Sequence, residues 1–483
     1  MKKQIEDFFI YKYRFKIGYI LLAITFMVTV FFLPNLAPKG LSQIERDSLV
    51  SSSSMNFETL QQGNIVDFPY YAVQHLFLNI FGLNFFSIKL PTILFAIATG
   101  VFIIILLNRH FKNVIALITA IMSLFSVAML FVSTNGSPLI MYPFWLSLII
   151  WLGSKLINQK KPNIILAVCF VAALIFSLYT PYMIYFVAVV LLAGLLRPHV
   201  RYVLHRLKPM KLALCLLAFL ALISPLVYFI SVNPYARRAL LVGHFSDASG
   251  FYYNIQNGFS AIISLGKHPE NIFLTPMFNI AVIIIAIIGL VALCRKIYTA
   301  YSLVIISTLI FSIIATGLDS NSVPAILVPI TILTGIGISV LVKRWYQYFP
   351  YNTYARLAGL IPLAVLTLSI IVSNFNFFVS GYSYAPSTVH SYNDDLALLQ
   401  KNINENDYLL ITPEDSNYAF YSLVAQRCHF SLINSVPDII SKGQKLVTMH
   451  GYPRTDLNPK MFKLKQIITS SRSENSDRLY IYE

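Results

Sequence analysis

Apolar runs of roughly 18 to 24 residues, separated by short polar segments, recur along most of this chain, and each is about as long as a bilayer core is thick when wound as a helix. The runs lie near 17-34, 86-107, 113-132, 138-157, 162-178, 181-197, 211-231, 276-294, 299-317, 322-342 and 356-379. They predict about eleven membrane helices, each long enough to cross. The closest junction is Tyr179-Thr180-Pro181-Tyr182, where two spans meet with almost no loop. A single kinked helix there would invert everything that follows.

Three segments leave this pattern: 35-85, 232-275 and 380-483. The first holds Ser51-Ser52-Ser53-Ser54 as a loop or cap. Its second half, through Tyr70, Tyr71, Val73, Leu76, Phe77, Ile80 and Phe81, has the three-to-four spacing of a helix lying in the interface plane. The second segment, opening Asn233-Pro234-Tyr235 and carrying Gly243, Gly250, Gly258 and Gly266, reads as a loop with one or two short helices. In the tail, β-type runs at 408-412, 429-433, 445-449 and 479-482 alternate with helical stretches near 391-402 and 416-426. That alternation predicts a small α/β domain. The fold expected is thus an α-helical polytopic membrane protein: a transmembrane domain over 1-380, with outer loops 35-85 and 232-275, followed by an extracytoplasmic α/β domain over 381-483.

Composition agrees, with 57% hydrophobic residues, 12% charged and a mean hydropathy of +0.68. Charge then sets the orientation. With the N-terminus in the cytoplasm, 20 of the 36 Lys and Arg fall in short inner segments, six fall in the outer loops (Lys39, Arg46, Lys89, Arg237, Arg238 and Lys267), and ten lie in the tail. This is the positive-inside distribution, and it holds loop by loop, so both spans around Tyr179-Tyr182 are needed. The net charge of +16 is accounted for by topology, which removes nucleic acid as a partner. The N-terminal apolar stretch is too long for a cleaved signal and reads as a retained first span of a plasma-membrane protein. Cys169, Cys215, Cys294 and Cys428 form neither a disulfide framework nor a metal-spaced cluster.

Between Asp7 and Asp394 the chain has only seven carboxylates: Glu45, Asp47, Glu58, Asp67, Asp247, Glu270 and Asp319. All map to the outer face, which makes that face the candidate seat of chemistry. If Gly40-Asp47 is helical, Glu45 and Asp47 point about 200 degrees apart, two candidates for one role. That role is a general base; the plainer alternative is a helix-start acid or a solvated interfacial charge. Arg46, Lys89, Arg237, Arg238 and Lys267, with His244 and His268 close in sequence, are the groups that could meet a phosphate leaving group. Taken singly, each is as well explained as a snorkelling or solvated cation. Aromatic belts account for most of the 29 Tyr and 36 Phe, leaving Tyr70, Tyr71, Tyr182 and Tyr185 as candidates to stack on sugar. The chain has no HExxH, P-loop or nucleophile elbow, so no cytoplasmic ATP-driven chemistry is indicated.

The run Phe68-Pro69-Tyr70-Tyr71, then Phe81-Gly82, then Lys89-Leu90-Pro91 resembles a signature of GT-C superfamily membrane glycosyltransferases. The nearest groups are the protein O-mannosyltransferase and aminoarabinose-transferase-like enzymes with their bacterial, polyprenyl-phosphate-sugar-dependent relatives. The resemblance implies transfer of a sugar from a polyprenyl-phosphate carrier to a lipid, glycan or protein acceptor at the outer face, with inversion. It carries the family's first-loop acid onto Glu45 or Asp47, Glu45 preferred, and places Lys89 against the carrier phosphate. No cofactor is implied with certainty, and a divalent metal requirement stays open. The chain departs from the family at Asp67-Phe68-Pro69, where a His-Pro-Pro is usual, at Ser133-Pro138, where Arg-Pro-Asp is frequent, and at Asp319-Pro324, which lacks Arg-Tyr. Two alternatives follow. A transporter or flippase would need ionisable groups in mid-span, and essentially none are present; an inactive relative acting as a scaffold would keep the layout without the catalytic groups.

Overall fold

In the computed structural model, residues 9–36, 40–55, 65–157, 163–196, 209–242, 248–263, 276–296, 299–405, 407–411, 417–436, 443–449, 462–470 and 477–483 are described. A long first helix, α1 (Phe9–Leu36), leads to a two-residue strand β1 (Leu41–Ser42), the short helix α2 (Gln43–Ser53) and the interfacial helix α3 (Phe68–Phe81). The helical body continues with α4 (Phe85–His110), α5 (Asn113–Leu124), α6 (Val127–Thr134), α7 (Met141–Ile157), α8 (Ile164–Ser177), α9 (Met183–Leu196) and α10 (Pro209–Val232). Two short helices, α11 (Pro234–Leu241) and α12 (Ala248–Ile263), occupy the second outer segment. The body closes with α13 (Ile280–Cys294), α14 (Ala300–Leu318), α15 (Leu327–Tyr348), α16 (Thr353–Ala358) and α17 (Leu360–Asn376).

Every expected span contains a helix, but they do not all have the expected length. Among the described residues seven helices are long and apolar enough to cross a membrane, or eight if α5 and α6, bent by 54° at Phe125–Ser126, count as one. The other three spans, over α8, α9 and α13, are apolar helices of 14 or 15 residues. A helix of that length reaches only about 21 Å, short of the ~30 Å hydrocarbon core. The expectation that all eleven are long enough is corrected: an apolar run read by composition includes turn residues such as Tyr179–Pro181, which do not wind. The two-span reading around Pro181 is nevertheless what the chain forms, because α8 and α9 are separate helices.

Small residues set the tightest crossing in the body. A Cβ on Gly289 of α13 would collide with the Leu333 carbonyl of α15, and one on Gly337 with the Ile285 carbonyl, so the two backbones touch where both side chains are absent.

The tail folds as expected and gains two strands, β2 and β6. After α18 (Pro386–Ser391), β2 (Tyr392–Asn393) and α19 (Asp395–Asn402) come β3 (Tyr408–Leu410), α20 (Tyr418–Cys428), β4 (Ser431–Ile433), β5 (Leu446–Met449), β6 (Leu464–Thr469) and β7 (Asp477–Tyr482). The sheet order is β4-β3-β5-β7-β6. β3 runs parallel to β4 and β5, while β7 runs antiparallel to β5 and β6. Strand β6, mostly exposed on an edge, carries too little alternation to be visible in sequence.

This domain is not a separate appendage. Leu41, Leu49, Leu78 and Ile88, from the segment between α1 and α4 and the start of α4, share one hydrophobic cluster with Leu396, Phe420, Val424 and Val447 of the tail. Strand β1 pairs antiparallel with β2, Leu41 opposite Asn393 and Ser42 opposite Tyr392. Gly40 makes that approach feasible: it sits at φ +91°, and any Cβ there would strike the Asn393 carbonyl.

Candidate functional site

Glu45 sits at the third position of α2 and closes a reciprocal cap with Ser42. The Ser42 hydroxyl accepts from the Glu45 backbone N–H (3.3 Å), and Glu45 Oε2 accepts from the Ser42 N–H (2.7 Å). The pattern Ser-x-x-Glu therefore fixes the side chain locally. Tertiary structure then adds two further donors: the Gly136 N–H at 2.6 Å and the Lys89 ammonium at 3.1 Å, both on Oε1. A Cβ on Gly136 would press on Glu45 Oε1 at 3.3 Å, so glycine keeps that approach open.

Lys89 is positioned by the analogous device one element later. Asn84 and Ser87 cap the start of α4 reciprocally, at 2.7 and 3.1 Å, and set Lys89 one turn in. Its ammonium also lies 4.4 Å from the Phe85 ring centroid. Glu45 is 0% and Lys89 2% exposed, so two residues about forty positions apart in sequence form a fully buried ion pair. Burying either charge alone would cost several kcal/mol.

A buried glutamine completes the frame. Gln74 of α3 donates to the Ile88 carbonyl (3.0 Å) and, at 3.5 Å, to the Gly136 carbonyl, and it accepts from the Ser48 hydroxyl (3.0 Å). It thereby ties α2, α3, α4 and the 135–137 turn together. The sequence reading missed Gln74, and nothing about an isolated Gln in an amphipathic helix would have flagged it.

The remaining predicted residues go to different places. Asp47 is exposed and accepts from the Gln43 side chain at 3.0 Å, on the face of α2 opposite Glu45, as helical geometry requires. Arg46 is buried but turned from Lys89 toward the tail. It donates to the Leu41 carbonyl and the Gln43 side chain, and it feels the charge of Asp395. Desolvation lowers its pKa from the ordinary value. Asp395 in turn accepts from the Tyr421 hydroxyl (2.5 Å) and from Arg478 (2.5 and 2.6 Å), which holds the Arg478 pKa above its usual value.

Tyr70 is fully buried, its hydroxyl 2.8 Å from that of Thr92, so its ring serves packing rather than an open sugar face. Tyr71 is half-buried against Tyr70, edge to face at 5.8 Å. Arg237 and Arg238 are exposed on α11 and, among the described residues, make no ion pair with Glu45. Lys267 and His244 lie outside the described residues. Among the described residues, no three His, Cys, Asp or Glu side chains gather around one point that could hold a metal.

A second polar cluster lies about two turns of α3 from Gln74, around Asp67 at the N-cap position of that helix, whose side chain makes no capping bond. Asp67 is buried, and burial, opposed by the nearby Thr180 hydroxyl and reinforced by the charge of Asp319, pushes its pKa up to about 8. The sequence had placed Asp67 on the outer face without giving it a role.

With this geometry in view, comparison with known proteins gives a consistent picture. Residues 69–229 match the family described as dolichyl-phosphate-mannose-protein mannosyltransferase. The crystal structure of ArnT from Cupriavidus metallidurans bound to undecaprenyl phosphate superposes on the chain with a TM-score of 0.54 at 13% identity, covering 96% of this chain and 98% of that one. The chain has the GT-C fold. The apo crystal structure of the same ArnT gives a TM-score of 0.52 over the same shares of both chains, also at 13% identity. None of the curated protein sequences matches the chain. The matched family segment opens at the Pro69-Tyr70-Tyr71 motif and runs on through Lys89, and the small tail domain packs on the segment between α1 and α4.

Proposed function

We propose that this chain transfers a sugar from a polyprenyl-phosphate carrier to an acceptor at the extracytoplasmic face, with the Glu45–Lys89 pair at the reacting end of the carrier. The observation that carries the reading is the buried pair itself: the acid and the base of the first-loop signature meet at 3.1 Å inside the protein. The basic residues concentrated in the inner loops support the orientation. The family match and the GT-C fold support the reaction class.

In the pair as it stands, Glu45 accepts from three donors. A carrier phosphate offers Lys89 a stronger anionic partner. When the ammonium turns to it, Glu45 keeps its two backbone donors and frees a lone pair for an acceptor hydroxyl. The acceptor oxygen then bonds to the anomeric carbon as the bond from that carbon to the carrier phosphate breaks. The electron pair leaves with the phosphate, beside Lys89, and the acceptor proton passes to Glu45. A single displacement of this kind inverts the anomeric centre.

The test is release of free polyprenyl phosphate from a panel of polyprenyl-phosphate sugars incubated with the purified full chain. Glu45→Gln should lower release by about 100-fold or more with carrier binding kept. Lys89→Met should weaken carrier binding. Release that ignores both substitutions would overturn the assignment.

A further inference from the structure

Near the outer end of the helical body, two buried oxygens, Asp67 Oδ1 and the Tyr182 hydroxyl, have no hydrogen-bond partner among the described residues, and the buried Thr180 hydroxyl beside them is engaged only with Asp67. Asp67, Thr180 and Tyr182 are 8%, 1% and 0% exposed. They also belong together. Asp67 and Thr180 interact directly, Tyr182 feels Asp319, and Tyr142 of α7 feels Asp67, Asp319 and Tyr182. The backbone staples the same place, with the Asp67 N–H donating to the Tyr179 carbonyl (2.8 Å) and the Tyr182 N–H to the Leu240 carbonyl (3.0 Å). A folded chain almost always pairs its buried polar atoms, so the unpaired oxygens of Asp67 and Tyr182 in one cluster point to a ligand rather than to the fold.

The backbone says the same. Of the described non-glycine residues, only Asp67, Tyr182 and His429 have positive φ, at 54°, 62° and 60°. Two of the three are in this cluster, and Tyr182 is of a type that rarely adopts that region. Strain of this kind persists where surrounding structure imposes it, and it gathers at sites that hold something.

We propose that Asp67, Thr180 and Tyr182 form a saccharide-binding site, in which these three buried groups take hydroxyls of a sugar beside the Glu45–Lys89 pair. The chemistry favours a neutral polyol over a cation. The groups facing Asp67 are Thr180, Tyr71 of α3, Tyr142 of α7 and Asp319 at the start of the turn before α15, with no basic side chain among them. A carboxyl facing another carboxylate in a buried place is held protonated near neutral pH, which makes Asp67 a donor to one sugar oxygen while its other oxygen accepts. Tyr182 and Thr180 each donate and accept once more. Tyr70 and Tyr71, which lie between this cluster and Glu45, make the two sites neighbours on α3. The sugar could arrive on the carrier or on the acceptor; the recognition chemistry is the same. This inference rests on the transfer reaction proposed above for the choice of sugar source, not for the site.

The experiment measures binding of three probes to the purified full chain in lipid nanodiscs: polyprenyl phosphate, polyprenyl-phosphate hexose and free maltotriose. Thr180→Val and Tyr182→Phe remove one hydroxyl each with little change of shape. The Tyr182 hydroxyl has no partner among the described residues, so Tyr182→Phe should leave the unfolding midpoint constant or raise it, while Thr180→Val also removes a hydrogen bond to Asp67; saccharide affinity should fall about 3- to 10-fold per hydroxyl. If the loss appears as a smaller gain of hexose over bare carrier, the donor sugar occupies the site. A loss confined to maltotriose places an acceptor glycan there. Failure of bare carrier to bind would count against the transfer reaction alone, and the maltotriose arm would still decide the site. The proposal is overturned if both variants bind hexose carrier and maltotriose as the parent does, if the variants lose stability without losing saccharide affinity, or if Mg²⁺ alone stabilises the parent and not Asp67→Asn.

Discussion

At the scale of single residues, the fate of each carboxylate follows from what surrounds it. Glu45 is buried with three donors, Asp395 with an arginine fork and a tyrosine, and Asp67 with neither. Breaking the first pair by Lys89→Met strands a buried charge and should lower stability by about 3–5 kcal/mol, read as a drop in unfolding midpoint in detergent. Asp67 behaves in the opposite sense. Its pKa is raised in the folded state to about 8, so the folded chain holds a proton that the unfolded chain gives up near pH 4. Its contribution to stability is therefore fully present below about pH 4 and is lost as pH rises through about 8. Asp67→Asn should flatten the pH dependence of the unfolding midpoint across that window and raise the midpoint at its alkaline end. An unchanged pH profile would show that Asp67 is ionised in the fold.

At the scale of elements, two approaches hold the site in place. Strands β1 and β2 tie the base of α2 to the tail domain, and Gly40 permits it. Gly40→Ala forces a Cβ into the Asn393 carbonyl at a positive φ, which should cost about 1–3 kcal/mol and open the tail to limited proteolysis. The crossing of α13 and α15 depends on Gly289 and Gly337 in the same way. Gly289→Leu should separate the helices and lower the unfolding midpoint, whereas the same change at Gly82, where nothing lies within 4 Å, strains only its own backbone.

At the scale of the whole molecule, the positive-inside distribution of the short loops predicts that the tail lies outside. Cys428 in the tail and Cys294 at the far end of α13 provide native labels for the two faces. A membrane-impermeant maleimide applied to intact cells or right-side-out vesicles should label Cys428 and spare Cys294. The reverse pattern would invert the topology and put the Glu45 site on the wrong face for a carrier presented from outside.

The helices, the strand runs of the tail and the opposed directions of Glu45 and Asp47 were legible along the chain, because each depends on residues within one turn or one pleat of each other; the reciprocal caps at Ser42 and Asn84 are equally local but went unread. The partnership of Glu45 with Lys89 was suggested only through a resemblance. Its burial, the third donor from Gly136, the bridging by Gln74 and the diversion of Arg46 toward Asp395 were invisible, since each joins residues tens to hundreds of positions apart. The sequence by itself determined that this is a membrane protein and predicted that its carboxylates share one face, since transfer free energy and the positive-inside bias act on each segment independently of the rest. Only the tertiary structure decided which carboxylate meets a cation and which is buried without one, because desolvation and pairing are properties of a neighbourhood, and the neighbourhood exists only once the chain has closed on itself.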